Sequence, residues 1–253
     1  MVEKNLFPIL EFDPSPSAKI EPSKLTGKKD VPRACVITFF GEAIRYKLEQ
    51  GLLQETAAFR SEKPIYEALI SGQRVGLAPG YVGAPSAACQ LEELIAMGFE
   101  KFIVCGGAGV LQKDIQVGHL VLPLAAVRDE GTSYHYIAPS REIECNAYAL
   151  SVIEEQLKRE NLPYLKAKTW TTDGVYRETS GKVALRAAEG CVTVEMEAAA
   201  FFAVAQFRDV VLGQILYGGD DLSGDEWDSR QWHSREDIRA NLVDLALRIA
   251  AKL

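Results

Sequence analysis

Val194-Glu195-Met196-Glu197-Ala198-Ala199-Ala200 is the stretch that decides the fold of this chain. The apolar run before it predicts a strand, and the apolar residues after it predict a helix. A second apolar run, residues 210–217, ends in Gly218-Gly219-Asp220-Asp221. Because open α/β sheets bind ligands at the carboxyl ends of their strands, the acidic groups of both segments are expected to converge. A carboxylate pair there suits the hydroxyls of a sugar, and a separate Asp suits proton transfer.

A purely structural interpretation of these acidic residues is also available. Glu195 and Glu197 could simply favour the positive end of a helix, and Asp220 could begin a solvated loop. The apolar residues that follow Glu197 argue against this for the Glu pair, since a charge at a buried helix start is costly without a partner.

The composition is that of an ordinary globular protein. The 253 residues are 47% hydrophobic and 25% charged, which favours one α/β domain, although length alone would also allow two. A net charge of −7 argues against binding to DNA and other polyanions, whereas a small anion needs only a local positive pocket. The five cysteines form no Cys-x-x-Cys pair and are expected to be free thiols.

The chain order predicts an arm followed by one domain. Residues 1–30 are rich in Pro, Ser and Lys and are expected to form an N-terminal arm, and residues 31–253 form the domain. Strand-like and helix-like runs alternate from Ala34 onward, which indicates an α/β sheet. The first residues lack a signal-peptide pattern, and the most apolar run is too short to span a bilayer, so we expect a cytoplasmic protein.

Six segments carry a resemblance to a known family, from about Ala34 to the C-terminal helix. They are residues 40–45 (FGEAIR), 80–86 (GYVGAPS), 104–109 (VCGGAG), 128–135 (RDEGTSYH), 172–176 (TDGVY) and 194–197 (VEME). In this order they resemble the nucleoside phosphorylase and nucleosidase superfamily, in the branch of uridine phosphorylase and the hexameric bacterial purine nucleoside phosphorylases. The resemblance implies a single α/β domain with a central mixed β-sheet, a distorted barrel, flanked by helices.

The resemblance implies a phosphate site at Gly41, Arg45, Arg60 and Gly107. Gly41 follows a predicted strand and opens a helix, where backbone amides and an arginine can hold an anion. Arg60 lies where relatives supply an arginine to the neighbouring subunit, although an ordinary solvated arginine is an equal alternative.

Two positions depart from the family pattern in this region. Related phosphorylases usually carry Arg at the position of Val104 and Ser or Thr at that of Gly107. Residues 106–109 could still form a small anion-binding nest, or Arg128 or another basic residue could substitute. A nucleosidase that uses water instead of phosphate is therefore a serious rival.

The resemblance assigns the ribose to Glu195, Met196, Glu197 and His135. Glu197 matches the glutamate that binds the 2′- and 3′-hydroxyls, Met196 would pack on the sugar, and Glu195 would support the turn or touch the ribose. His135 could reach a ribose hydroxyl in its own or a neighbouring subunit, and a structural role is the alternative. An ionised carboxylate strengthens its interaction as positive charge develops on the sugar.

The base is assigned to Val175, Tyr176 and Asp220. Asp220 lies where purine-specific relatives carry an acid that protonates N7 of the leaving base, which is worth about 10²–10⁴-fold in rate. Asp221 is the alternative acid if the alignment slips by one residue. The Gln and Arg pair that reads uracil in uridine phosphorylases is missing after Tyr176, and Val175 replaces a Phe, so the site favours a purine.

The sequence thus predicts phosphorolysis of a purine nucleoside to free base and ribose 1-phosphate. The rivals are a nucleosidase and a non-catalytic nucleoside-binding protein of the same fold. No metal or organic cofactor is implied, since the three histidines lack ligand spacing, and inorganic phosphate is the co-substrate. If Arg60 crosses an interface, the protein is a homo-oligomer, a dimer or a hexamer, with no nucleic-acid or membrane partner.

Overall fold

Ten strands form one continuous mixed sheet, part of which closes into a barrel. The structure, a computed structural model, describes residues 2–253, so the first residue of the expected arm lies outside it. The strands are β1 (Ala34–Thr38), β2 (Gln54–Ala58), β3 (Pro64–Ile70), β4 (Gln73–Pro79), β5 (Lys101–Val110), β6 (Leu120–Asp129), β7 (Glu142–Glu144), β8 (Tyr164–Thr172), β9 (Cys191–Glu195) and β10 (Val211–Asp221). Their order is β10-β6-β8-β9-β5-β1-β4-β3-β2, and β7 pairs with β6. Because β10 also pairs with β5, the strands β5, β9, β8, β6 and β10 form a closed five-stranded barrel.

Both strand orientations occur in the sheet. The pairs β1–β4, β1–β5, β5–β10, β6–β8 and β8–β9 are parallel. The pairs β5–β9, β6–β10, β6–β7, β2–β3 and β3–β4 are antiparallel. The predicted mixed sheet with a distorted barrel is confirmed.

Seven helices flank this sheet. They are α1 (Pro22–Leu25), α2 (Gly41–Glu49), α3 (Ala84–Met97), α4 (Ala147–Arg159), α5 (Ser180–Ala188), α6 (Ala198–Phe207) and α7 (Glu236–Ala250). One hydrophobic cluster joins α2, α4 and α7 to the sheet, and a second joins α3 and α6 to it. The sheet is therefore covered by separate groups of helices, as expected when a sheet is buried on both faces.

The barrel strands are longer than the apolar runs that predicted them. The apolar run that begins β5, residues 101–105, continues as strand through Val110, and the apolar run 210–217 continues as strand through Asp221. The added strand residues include glycines. A Cβ on Gly218 would lie 2.9 Å from Ile115 and 3.0 Å from Val110, so only glycine fits at this position. Because these positions carry glycine instead of apolar side chains, the apolar pattern of the sequence predicts strands that are too short. Strands β2, β3 and β7 were not predicted.

The N-terminal segment lies on the surface of the domain. Residues 2–30 contain only a 3₁₀ turn at Pro8–Leu10 and the short helix α1, and most of their side chains are exposed. Ile9 approaches Gly131, and α1 packs against α3. Within residues 2–253 no helix has the length and apolar character needed to cross a bilayer.

Candidate functional site

Four carboxyl side chains line one cavity of about 310 Å³ at the ends of β5, β9 and β10. They are Glu178, Glu195, Glu197 and Asp220. The remaining lining residues are Phe39, Phe40, Val82, Gly107, Ala108, Gly109, Val175, Val194, Met196, Trp232 and Arg239. The two acidic segments of the sequence thus meet at one cavity, as the strand-end argument anticipates.

Glu195 holds the junction between β9 and α6. Its Oε2 accepts hydrogen bonds from the backbone N–H groups of Glu197 (2.8 Å) and Ala198 (2.6 Å). Its Oε1 accepts from Thr171 Oγ1 at 2.6 Å. That hydroxyl in turn accepts from the N–H of Ala199 at 3.0 Å. Of the two roles open to Glu195 in the sequence, support of the turn is the one these contacts serve.

Glu197 is buried and joins the first turns of two helices. Its Oε1 accepts a hydrogen bond from the backbone N–H of Gly83, the residue before α3, at 2.6 Å. Burial, followed by the negative charge of Glu195, raises the pKa of Glu197 to about 8. Because Glu195 has three donors and Glu197 only backbone donors, Glu197 takes up the proton that the pair shares near neutral pH.

Asp220 and Glu178 lie together at the other side of the cavity. Trp227 Nε1 donates to Asp220 Oδ2 at 2.6 Å. Burial, followed by the charge of Asp220, raises the pKa of Glu178 to about 7. Asp221, the alternative acid, does not line the cavity; its carboxylate pairs with Arg230 and accepts from the Ser223 N–H.

The two other residues assigned to the base differ in position. Val175 lines the cavity and is 47% exposed. Tyr176 is 95% exposed and is not among the lining residues. Both residues belong to a 3₁₀ turn at Val175–Arg177. Consecutive residues in such a turn point in different directions, so only one of the two faces the cavity.

Gly41 and Arg45 lie together at the start of α2, next to the cavity-lining Phe40. Arg45 Nη1 is 3.8 Å from the point that a Cβ on Gly41 would occupy. Gly107 lines the cavity, but residues 106–109 lie within strand β5, where residues 106–108 pair with β10 and Gly109 pairs with Val194 of β9. Because extended strand geometry points successive amides to opposite sides, residues 106–109 do not form the anion nest that the sequence left open. Val104 is fully buried in the core.

Arg128 cannot serve the phosphate, contrary to the alternative raised from the sequence. Its guanidinium donates to Ser133 Oγ, Ser140 Oγ and the carbonyl oxygens of Ile137 and Ala138, at 2.8–3.0 Å. Because Arg128 is buried and these bonds tie its nitrogens to the loop that follows β6, Arg128 has a structural role.

Arg60 and His135 lie at a second cavity of about 900 Å³. The N-terminal segment forms one wall of this cavity, and α3 contributes to another. Both side chains are exposed, and neither lines the first cavity. Within this one subunit the structure does not bring them to Glu197 and Asp220.

Several lining residues were not assigned to the site from the sequence, among them Glu178, Trp232 and Arg239. Arg239 lies in the first turn of α7, outside the six segments that carry the resemblance. Trp232 belongs to a polar connection, where the bulky aromatic residues Trp227 and Trp232 are the one signal that could have marked it. Among residues 2–253 there is no cluster of three or more His, Cys, Asp or Glu side chains that could hold a metal ion.

The raised pKa of Glu197 predicts a pH-dependent stability difference. An unfolded glutamate titrates near its ordinary value of about 4.3, so the neutral folded form stabilises the protein below that pH. This contribution is lost as pH rises through about 8. Glu197→Gln should therefore melt at a progressively higher temperature than the wild type between pH 5 and pH 9. Glu155→Gln, an exposed change on α4, is the control; a melting difference for Glu197→Gln that is independent of pH contradicts the assignment.

Comparison with known proteins places this geometry in a family. The chain is 30% identical over 161 residues to a guanosine phosphorylase of Halorubrum lacusprofundi, covering 64% of this chain and 67% of that one. It is also 30% identical over 183 residues to a uridine phosphorylase of Treponema pallidum, covering 68% of each. A solved purine nucleoside phosphorylase of Toxoplasma gondii, in complex with immucillin-H, has the same fold with a TM-score of 0.75. The two chains are 19% identical in sequence, and the match covers 88% of this chain and 92% of the Toxoplasma gondii chain.

The family model described as the Phosphorylase superfamily matches residues 33–252. The match takes in all ten strands and the helices α2 to α7, so it includes every element that lines the first cavity. The chain belongs to the Phosphorylase superfamily.

Proposed function

We propose that this protein is a nucleoside phosphorylase, a pentosyltransferase that converts a purine nucleoside and inorganic phosphate to free base and ribose 1-phosphate. The observation that carries the proposal is one cavity lined by Glu197 and Met196 together with Asp220. These are the groups that a sugar and a departing base require. Phosphate is the co-substrate, the proposal includes no other cofactor, and a cytoplasmic location stays a prediction.

The ribose binds at Glu197 and Met196 in this proposal. Gly83 occupies Oε1 of Glu197, which leaves Oε2 for the sugar hydroxyls. A hydroxyl that donates to this carboxylate favours its ionised form, so the proton held in the free protein is released when ribose binds. The resulting negative charge stabilises the positive charge that develops on the sugar as the glycosidic bond breaks.

The departing base is protonated from Asp220. A phosphate oxygen forms a bond to C1′ while the C1′–N9 bond breaks and its electron pair moves onto the purine. N7 then takes a proton from the Asp220 carboxyl. Trp227 holds Oδ2, and Glu178, whose pKa burial and the Asp220 charge raise to about 7, keeps beside this group the proton that Asp220 passes on. A purine suits this arrangement because N7 is an acceptor on the leaving ring.

The neighbouring subunit contributes Arg60 and His135 in this proposal. Both line the second cavity rather than the first. A homo-oligomer in which that surface meets the first cavity of a neighbour would bring Arg60 to the phosphate and His135 to the ribose. Gly41 and Arg45 hold the phosphate from within the same subunit.

Release of free base tests the function directly. Purine and pyrimidine nucleosides are incubated with the protein, with and without phosphate, and the products are separated by chromatography. We expect purine release only with phosphate, together with ribose 1-phosphate. Equal release without phosphate would identify a nucleosidase, and nucleoside binding without any release would identify a binding protein.

Asp220→Asn tests the general acid, with Asp221→Asn as the matched neighbour. The first variant should lose about 10²–10⁴-fold in kcat for purine nucleosides with little change in nucleoside affinity, because only proton transfer is removed. The second should keep kcat at matched folded protein, since its carboxylate lies outside the cavity. The reverse result would move the acid to Asp221.

A hybrid oligomer tests whether Arg60 acts across an interface. Arg60→Ala and Asp220→Asn subunits are co-expressed with different affinity tags, and mixed oligomers are isolated through both tags. If Arg60 serves the neighbour, a mixed dimer has one doubly altered site and one intact site, so about half of the wild-type activity returns, as the site count requires. Activity no higher than in the two parent variants would show that Arg60 acts within its own subunit or not at all.

A further inference from the structure

Arg239 is the one basic side chain that lines the first cavity within residues 2–253. The other lining groups are four carboxyls, aromatic and aliphatic side chains, and glycines. An anion that enters this cavity therefore finds a single favourable charge among the side chains that line it. Position within the cavity, rather than net charge of −7, decides where an anion can bind.

Four contacts hold the Arg239 guanidinium. Nη1 donates to Glu42 Oε1 at 2.8 Å, and Nε donates to the Tyr217 hydroxyl at 3.2 Å. The central guanidinium carbon, Cζ, lies 5.3 Å from the centre of the Phe40 ring and 5.1 Å from the centre of the Trp232 ring. The guanidinium is thus fixed in plane and in orientation before any ligand arrives.

Part of this guanidinium is left for a ligand. A guanidinium carries five N–H donors, and the two hydrogen bonds described above use only two. Nη2 has no hydrogen-bond partner among residues 2–253. The paired Glu42 belongs to the first turn of α2, directly after Gly41, so the free donors lie close to the helix start that the proposed function assigns to phosphate.

The glycine at position 107 is spatially linked to the same group. A Cβ on Gly107 would lie 3.1 Å from Trp232 and 3.2 Å from Tyr217, two of the four residues that hold Arg239. A larger side chain at this position would push against both rings. Gly107 therefore makes room for the assembly that orients Arg239.

We propose that Arg239 binds the phosphate nucleophile, with Glu42, Tyr217 and Trp232 as its positioning residues. This inference rests on the proposed phosphorolysis. The free N–H groups of Arg239 donate to phosphate oxygens in charge-assisted hydrogen bonds, while Gly41 and Arg45 approach from the start of α2. The cation on α7 thereby supplies the role that Val104 and Gly107 on β5 cannot.

Arg239→Gln in the full chain tests the inference, with Arg235→Gln as the matched control. Arg235 precedes Arg239 by one turn, is exposed and does not line the cavity. We expect the phosphate KM of Arg239→Gln to rise about ten-fold or more, while the nucleoside KM stays close to the wild-type value. Arg235→Gln should leave both unchanged. An unaltered phosphate KM, or a change confined to the nucleoside KM, overturns the inference.

Chemical labelling of the wild-type protein gives an answer that does not depend on the folding of a variant. Phenylglyoxal modifies arginine side chains, and mass spectrometry of the peptides measures each site. Inorganic phosphate should protect Arg239 and leave the labelling of Arg235 unchanged; equal labelling of Arg239 with and without phosphate contradicts the inference. Phosphate-dependent turnover without protection of Arg239 would refute this inference alone, whereas phosphate-independent turnover would refute the proposed function and leave the binding test standing.

Discussion

The hydrogen bonds of Glu195 are the interaction on which the site depends. The helix α6 begins with three alanines, and its preceding residue Glu197 makes no side-chain cap. The carboxylate of Glu195 fills this role from the end of β9, and Thr171 extends it from β8. An unsatisfied buried N–H costs about 1–3 kcal/mol, so this arrangement stabilises the turn that carries Glu197. One carboxylate is used for structure so that its neighbour can face a ligand.

Burial sets the charge state of the cavity. Four carboxyls in about 310 Å³ would repel one another strongly if all were ionised. Burial and mutual repulsion instead raise the pKa of Glu197 and of Glu178 into the neutral range. The free cavity therefore holds protons that ligands can displace or use. Arg239 is the positive charge of the cavity, and its salt bridge is with Glu42, which is not one of the four cavity carboxyls.

The sequence predicted those features that depend on local pattern. The alternation of strands and helices, the strand-end position of Glu195 and the meeting of its segment with Asp220 all follow from neighbouring residues and one rule of sheet topology. The continuation of β5 through residues 106–109 and of β10 through Gly218 could not be predicted, because barrel packing rather than an apolar pattern keeps these glycines extended. The hydrogen bonds of Arg128 to two carbonyls and two serines likewise form only when the loop at residues 133–140 folds against β6.

If Arg239 binds phosphate as proposed, matching positions along the chain underestimates the binding site in this cavity. Val104 and Gly107 suggest a lost phosphate site when β5 is considered alone, and each is accounted for by packing in the fold. The Arg239 guanidinium on α7 lines the same cavity as Gly107, and the rings of Trp232 and Tyr217 that contact it require position 107 to stay small. A charge can move from one element to another if the binding point in space is kept, since an anion responds to distance and orientation rather than to sequence position. The small residue on β5 and the arginine on α7 are therefore two parts of one arrangement, and neither can be interpreted without the other.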